Sequence, residues 1–337
     1  MTRQLESVQQ APPSPPATGP VPGLLVCALA TAVAMAVNWW LPMVSPLLIA
    51  IVLGAIATNI APLGPRYAPG MAIASRPLLR IGIALLGLQL VFGDILGLGA
   101  GVIAVIVCVV VFGIGGILWV GAKLGLSPAQ RLLIACGTSI CGAAAVAAVD
   151  GVIDADDEDV ATAIGTVVVF GTMLLGLLPL AVHFLSLGPE IGGIWAGASI
   201  HEVAQVVAAG GMIGSGALAV AVVVKLGRVL MLAPVMAVIS LRQRRHAPAG
   251  QRPPLVPVFV LGFLACVTLR SVGVVPDGVL QVAGHVQVAL LSAAMFALGT
   301  GVRISALRAV GPRPFVLGAI GTTWVVGLGL AGALLVG

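Results

Sequence analysis

Lys225 and Arg228 sit near the middle of a 26-residue apolar stretch, Gly216 to Leu241, that contains no acid. A cation at the centre of a membrane helix costs about 2.5–3.5 kcal/mol on insertion scales, so a pair of them implies a use. Spaced three apart, they fall on one helical face. The preceding apolar stretch holds Gly197-Ala198-Ser199-Ile200-His201-Glu202-Val203-Ala204-Gln205 at its centre. An intramembrane Glu marks a functional site by default. His201 is a residue type that can carry a proton near neutral pH, or else a hydrogen-bonded core histidine. His201 and Gln205 share a face at i, i+4, with Glu202 leaning to the neighbouring one. The run stops short of the zinc motif H-E-x-x-H, because Gln205 is a poor zinc ligand, and no metal is expected. Glu202 reads either as a coupling residue or as the structural partner of Lys225 or Arg228.

A third constellation lies upstream, Cys136-Gly137-Thr138-Ser139-Ile140-Cys141-Gly142. Two glycines, two hydroxyls and two thiols in seven residues make a poor straight helix. Such a stretch can unwind at mid-membrane if it lines a cavity. A half-helix starting near Gly142 would aim its free amides into that cavity, a place that favours an anion. The alternative is a packing face of small residues. Two cations against one acid leave about one net positive charge at mid-membrane, which also suits an anion. Arg grips an oxyanion or carboxylate bidentately, and Lys acts as a point charge. The candidate substrate-binding residues are therefore Thr138, Ser139, Gly142, Ser199, Lys225 and Arg228. The candidate coupling residues are His201, Glu202 and Gln205. Asn59 and Gln89 read as path-lining groups or as bonds between helices.

These residues need elements to hold them. The chain has 337 residues, 60% hydrophobic and only 8% charged. A soluble domain is about 25% charged, so the expected class is an all-α polytopic membrane protein. A net charge of +5 is no nucleic-acid signal here, because the basic residues sit in joints between apolar stretches. Residues 1–22, ending in a Pro-rich run, read as a disordered tail before a single transmembrane domain over 23–337. Eleven segments are expected: Leu24–Leu41, Pro46–Leu63, Leu78–Leu98, Ala100–Ala122, Gln130–Val149, Val160–Leu187, Ile191–Met212, Gly216–Leu241, Val256–Val274, Val279–Thr300 and Pro314–Val336. Arg66, Arg76 and Arg80, then Lys123 and Arg131, then Arg242, Arg244, Arg245 and Arg252, then Arg303, Arg308 and Arg313 crowd the even-numbered joints. The positive-inside rule puts these joints and the N-terminus in the cytoplasm.

Two internal similarities add architecture. LGAIATNIAPLGP from Leu53 resembles LGFLACVTLRSVG from Leu261, and TSICGAAAVAA from Thr138 aligns with ASIHEVAQVVAA from Ala198. Both pairings give inverted repeats if segments five and seven are re-entrant hairpins, and inverted repeats with discontinuous helices are a transporter signature. Hairpins or unwound helices are expected for both segments.

CGTSICGAAAVAA, the acidic joint before ATAIGTVVVFGT, WAGASIHEVAQVVAAG and VVKLGRVLMLAP resemble the YeiH-type family of bacterial inner-membrane proteins, which carries a sulfate-exporter label. The likeness covers nearly all the chain after residue 22. It implies inverted repeats and broken central helices, and it supplies no secure substrate. The expected function is secondary transport of a small anion, sulfate or a related oxyanion or organic acid, coupled to a proton or another ion. No G-x-x-x-x-G-K-[ST] run is present, so no nucleotide or other cofactor is expected. The partners expected are the substrate and the bilayer, with no nucleic acid and with a homo-oligomer left open. The rivals are a passive anion channel and a membrane-embedded hydrolase using Ser139 or Cys141 with His201 as base.

Overall fold

The computed structural model describes residues 19–41, 44–153, 155–246, 256–301 and 311–337. Most of the expected tail lies outside these, as do Arg252, Arg303 and Arg308. Every regular element among the described residues is a helix, and seven helical spans are long and apolar enough to cross a membrane. The protein is an all-α multi-pass membrane protein.

Helix α1 (Val21–Trp40) begins inside the stretch read as tail. Helix α2 (Pro46–Ile60) starts where Ser45 Oγ accepts from the Leu47 amide at 3.2 Å, with Pro46 in the first turn, where its missing N–H costs nothing. The third span runs over Pro65–Gln89, not Leu78–Leu98. It comprises α3 (Ala68–Ile73), a π turn (Ala74–Leu78) and α4 (Leu79–Leu86), with 3-10 turns at both ends. Pro69, Arg76, Pro77 and Arg80 make its first half read as a joint. The widened π turn takes up Pro77 without ending the helix. After it the chain extends at Leu90–Val91 and makes a short α5 (Phe92–Gly97).

The remaining helices are α6 (Gly99–Lys123), α7 (Pro128–Ser139), α8 (Ala143–Ile153), α9 (Asp157–Phe184), α10 (Pro189–Ser199), α11 (Val203–Ile213), α12 (Ser215–Leu230), α13 (Leu232–His246), α14 (Val258–Val272), α15 (Asp277–Gly299) and α16 (Arg313–Val336). They sort into two bundles. One is α1–α4 with α14 and α15, and the other is α6–α12 with α16. The outward sides carry apolar groups such as Leu29, Phe112, Met173 and Leu335, the surface a lipid environment needs.

Segments five and seven are both re-entrant hairpins. In segment seven, Gly193 and Gly197 of α10 lie against Ala217 and Ala221 of α12, while Gly210 of α11 lies against Leu218. Thus α10 runs alongside α12 and α11 runs back past the same residues. Gly192 meets Ile213, so the hairpin leaves where it entered. In segment five, Ser127 Oγ, which caps α7, donates to Asp159 at 2.8 Å in the first turn of α9. A full crossing by α7 and α8 would separate those two residues by the thickness of the bilayer. Gly137 of α7 also packs on Val146 of α8.

The hairpins enter from opposite faces. Helix α9 has the mouth of the first hairpin at its N-terminal end, through Asp159. It has the mouth of the second at its C-terminal end, where Val182 meets Gly192. The two tips, Ile140–Gly142 and Ile200–Glu202, meet between those ends.

Candidate functional site

Each hairpin turns at a break that the local sequence explains. Gly142 takes φ +76°, the left-handed region that favours glycine, and a Cβ there would stand 2.5 Å from Glu202 Cγ. The second tip is extended through Ile200 and Glu202. Four helix ends therefore converge away from water: the C-termini of α7 and α10 and the N-termini of α8 and α11. The two C-termini carry free carbonyls and partial negative charge, and the two N-termini carry free amides and partial positive charge.

Lys225 and Arg228 of α12 reach both C-terminal ends. Lys225 Nζ donates to the carbonyls of Ile140 at 2.7 Å, Ile200 at 2.8 Å and His201 at 2.5 Å. All three of its N–H bonds are thereby engaged. Arg228 donates from Nε to Ser139 O at 3.1 Å, from Nη1 to Gly197 O at 3.1 Å and Ile200 O at 3.0 Å, and from Nη2 to Thr138 O at 2.9 Å. Both side chains are 0% exposed, and they are the largest fully buried ones among the described residues. The two side chains leave α12 on one face, as their spacing predicts. What the structure adds is that their donors face backbone carbonyls, as cations do at helix C-termini.

Glu202 occupies the opposite pole. It is the N-cap of α11 in a reciprocal capping box. Its carboxyl accepts from the Gln205 amide, and the Gln205 side chain accepts from the Glu202 amide at 3.2 Å. The same carboxyl lies against Gly142, the residue that precedes α8. One carboxyl group thus answers two helix N-termini. Its Oε2 has no hydrogen-bond partner.

The expected sharing of a face by His201 and Gln205 fails, because α11 begins only at Val203. His201 Nε2 instead pairs with Thr322 Oγ1 of α16 at 3.0 Å, and Gln205 Nε2 donates to Thr172 Oγ1 of α9 at 3.4 Å. Around the tips, Thr138 Oγ1, Ser139 Oγ, Ser199 Oγ and His201 Nδ1 are buried without partners. The Ser139–His201 hydrogen bond on which a hydrolase would rest is therefore not made. Cys141 lies in the break of the first hairpin.

Three features escaped the sequence. Thr322, the partner of His201, sits in an ordinary apolar helix. Gly113 of α6 and Gly329 of α16 form notches: a Cβ at Gly113 would stand 2.6 Å from Ser139 Oγ, and one at Gly329 would stand 2.5 Å from Ser199 Oγ. Nothing distinguishes these two among 45 glycines. Of the isolated polar groups, Asn59 bonds its own helix at Ala55 O, whereas Gln89 donates to Gln287 at 2.5 Å between helices.

Two cavities lie where the first bundle borders the second. One, about 590 Å3, is lined by Thr58, Ser75, Arg76, Asp150, Ala161 and Thr300, on the face where the first hairpin enters. The other, about 960 Å3, is lined by Asn38, Trp40, Gln89, Gln281 and His285, and it reaches Ala204, two residues past Glu202.

The family model described as "Conserved hypothetical protein 698" matches residues 22–318. A UPF0324 membrane protein of Corynebacterium glutamicum is 57% identical over 93% of this chain and 92% of its own. UPF0324 membrane proteins of Pseudomonas putida (39% identical, 86% of this chain and 84% of the relative) and Pseudomonas aeruginosa (38%, 96% and 94%) align similarly. No solved structure matches the chain. With a family model over most of its length and relatives at this identity, the chain belongs to the UPF0324 family of membrane proteins, the YeiH-type family resembled by its two hairpin motifs.

Proposed function

We propose that the protein is a secondary transporter of a small anion, sulfate or a related oxyanion or organic acid, in the bacterial inner membrane with its N-terminus in the cytoplasm. The observation that carries this reading is the meeting of two half-helix N-termini at one buried carboxyl group, with the opposing C-termini capped by Lys225 and Arg228. Free amides at a helix start favour an anion, and unwound tips at membrane depth belong to transport sites. The hairpins, entering from opposite faces, fit an inverted repeat. Ser139 against Gly113 and Ser199 against Gly329 are equivalent positions in it. The cavities fit alternating access, since both border the second bundle and each reaches a different hairpin, at Asp150 of α8 and at Ala204 of α11.

Within this reading, Lys225 and Arg228 fix the hairpin tips and set the local positive charge. Thr138, Ser139, Ser199 and the backbone beginning at Gly142 receive the anion. His201, Glu202 and Gln205 couple it to a proton. Flux of radiolabelled sulfate into proteoliposomes holding the purified full chain tests the proposal. Saturable uptake that accelerates when an inward proton gradient is imposed is the expected result. Unsaturable conductance indifferent to the gradient would mean a channel. No flux of sulfate, methanesulfonate or succinate under any gradient would overturn the reading.

A further inference from the structure

Glu202 stands where a substrate anion would have to stand. Its carboxyl lies against Gly142 at the start of α8 and caps the α11 N-terminus through the Gln205 amide. A carboxylate and a free oxyanion are chemically alike at such a place: each offers oxygens and negative charge to the same amides. Two anions at one buried locus repel strongly in a low-dielectric site. Resting on the anion-transport reading above, we propose that Glu202 is a tethered surrogate for the substrate. It holds the two helix ends while the site is empty. It must take up a proton and turn aside before an anion can enter, so that each anion travels with one proton.

The geometry gives the proton a place and a route. Oε2 of Glu202 makes no hydrogen bond, so it can accept a proton without breaking one. The larger cavity reaches Ala204, in the first turn of α11 and two residues past Glu202, which is the side from which a proton would approach. Once protonated, the carboxyl loses its attraction for the amides, and an incoming oxyanion replaces it there. Thr138, Ser139 and Ser199, whose hydroxyls are unpartnered, are at hand to complete the shell. When the anion leaves toward the other face, Glu202 returns its proton and recaptures both helix ends. Proton and anion thus move in the same direction, and net negative charge never doubles at the tips.

The charged and titratable groups around Glu202 leave it the proton carrier. Lys225 and Arg228 come from α12 with their donors on carbonyls, and Cys141 comes from the first hairpin. His201, from its own hairpin, is tied to Thr322 by Nε2, although its Nδ1 is free. His201 is therefore the one rival proton site that the experiment must separate.

Sulfate binding to the purified full chain, measured by calorimetry at about pH 5.5 and about pH 8, separates them. Sulfate remains a dianion across this range, so any pH dependence belongs to the protein. Wild type is expected to bind at least about tenfold more tightly at the acid pH. Glu202→Gln is expected to bind with equal affinity at both, and in proteoliposomes to exchange sulfate while losing uptake driven by a proton gradient. His201→Asn is expected to keep the wild-type pH dependence. A Glu202→Gln protein that unfolds at the wild-type temperature yet retains the pH dependence, or binds no sulfate, overturns the inference. So does loss of the pH dependence in His201→Asn. Wild type that binds sulfate equally at both pH values defeats this inference alone, whereas wild type that neither binds nor exchanges any tested anion defeats the transport reading itself.

Discussion

Lys225 contributes three hydrogen bonds and Arg228 four, and all seven end on carbonyls of the two hairpins. Each unmet buried acceptor costs about 1–3 kcal/mol. Lys225→Met should therefore destabilise the protein by about 3–5 kcal/mol, read as a marked fall in the thermal unfolding temperature in detergent. Arg228→Lys keeps the charge but loses the fork, so a smaller fall is expected, with the helix-end charges still answered. Equal stability of Lys225→Met and wild type would show that the carbonyls find other donors. At this scale the sequence was informative about residue type and depth. An uncompensated cation in an apolar run is visible by composition alone, whereas its partners are main-chain oxygens, which every residue possesses and no sequence can single out.

The elements that hold these residues are two hairpins seated in the notches of α6 and α16. Gly113 admits Ser139, and Gly329 admits Ser199. Gly113→Ala should cost about 1–3 kcal/mol, because its methyl would meet the Ser139 hydroxyl. Ser139→Ala removes that oxygen, so the double variant should regain part of the loss, giving a coupling of about 0.5–3 kcal/mol in a thermal-unfolding double-mutant cycle. Strict additivity would deny the notch its role. The two breaks were foreseeable, since the run around Gly142 and the polar cluster around Glu202 both interrupt apolar periodicity. Their caps were foreseeable only in part. Glu202 and Gln205 stand three apart, the spacing of a capping box, but the i, i+4 face imagined for His201 assumed a helix that starts earlier than α11 does. The third span was misplaced for a related reason: arginines and prolines look like a joint until a π turn accommodates Pro77.

For the whole molecule, the hairpins decide topology. With segment five re-entrant, the residues before α7 and after α8 share a face; with a full crossing they would not. In a background lacking the five native cysteines, Lys123→Cys and Glu158→Cys should react with a membrane-impermeant thiol reagent from the same side, and opposite labelling would refute the hairpin. Seven helical spans among the described residues, with shorter apolar helices between them, make a multi-pass membrane protein, and that much composition and segment length established by themselves, because burying backbone in lipid leaves only helices for such runs. Charge buried at a particular pair of segments was equally determined, since the cost of placing it in lipid is a property of the residue. Only the tertiary structure decided what those charges face. The convergence of four helix ends, the assignment of both cations to C-termini and one carboxylate to N-termini, and the pairing of His201 with Thr322 join residues up to 121 positions apart. Such contacts follow from where two hairpins meet in space, and no local pattern of side chains encodes that meeting.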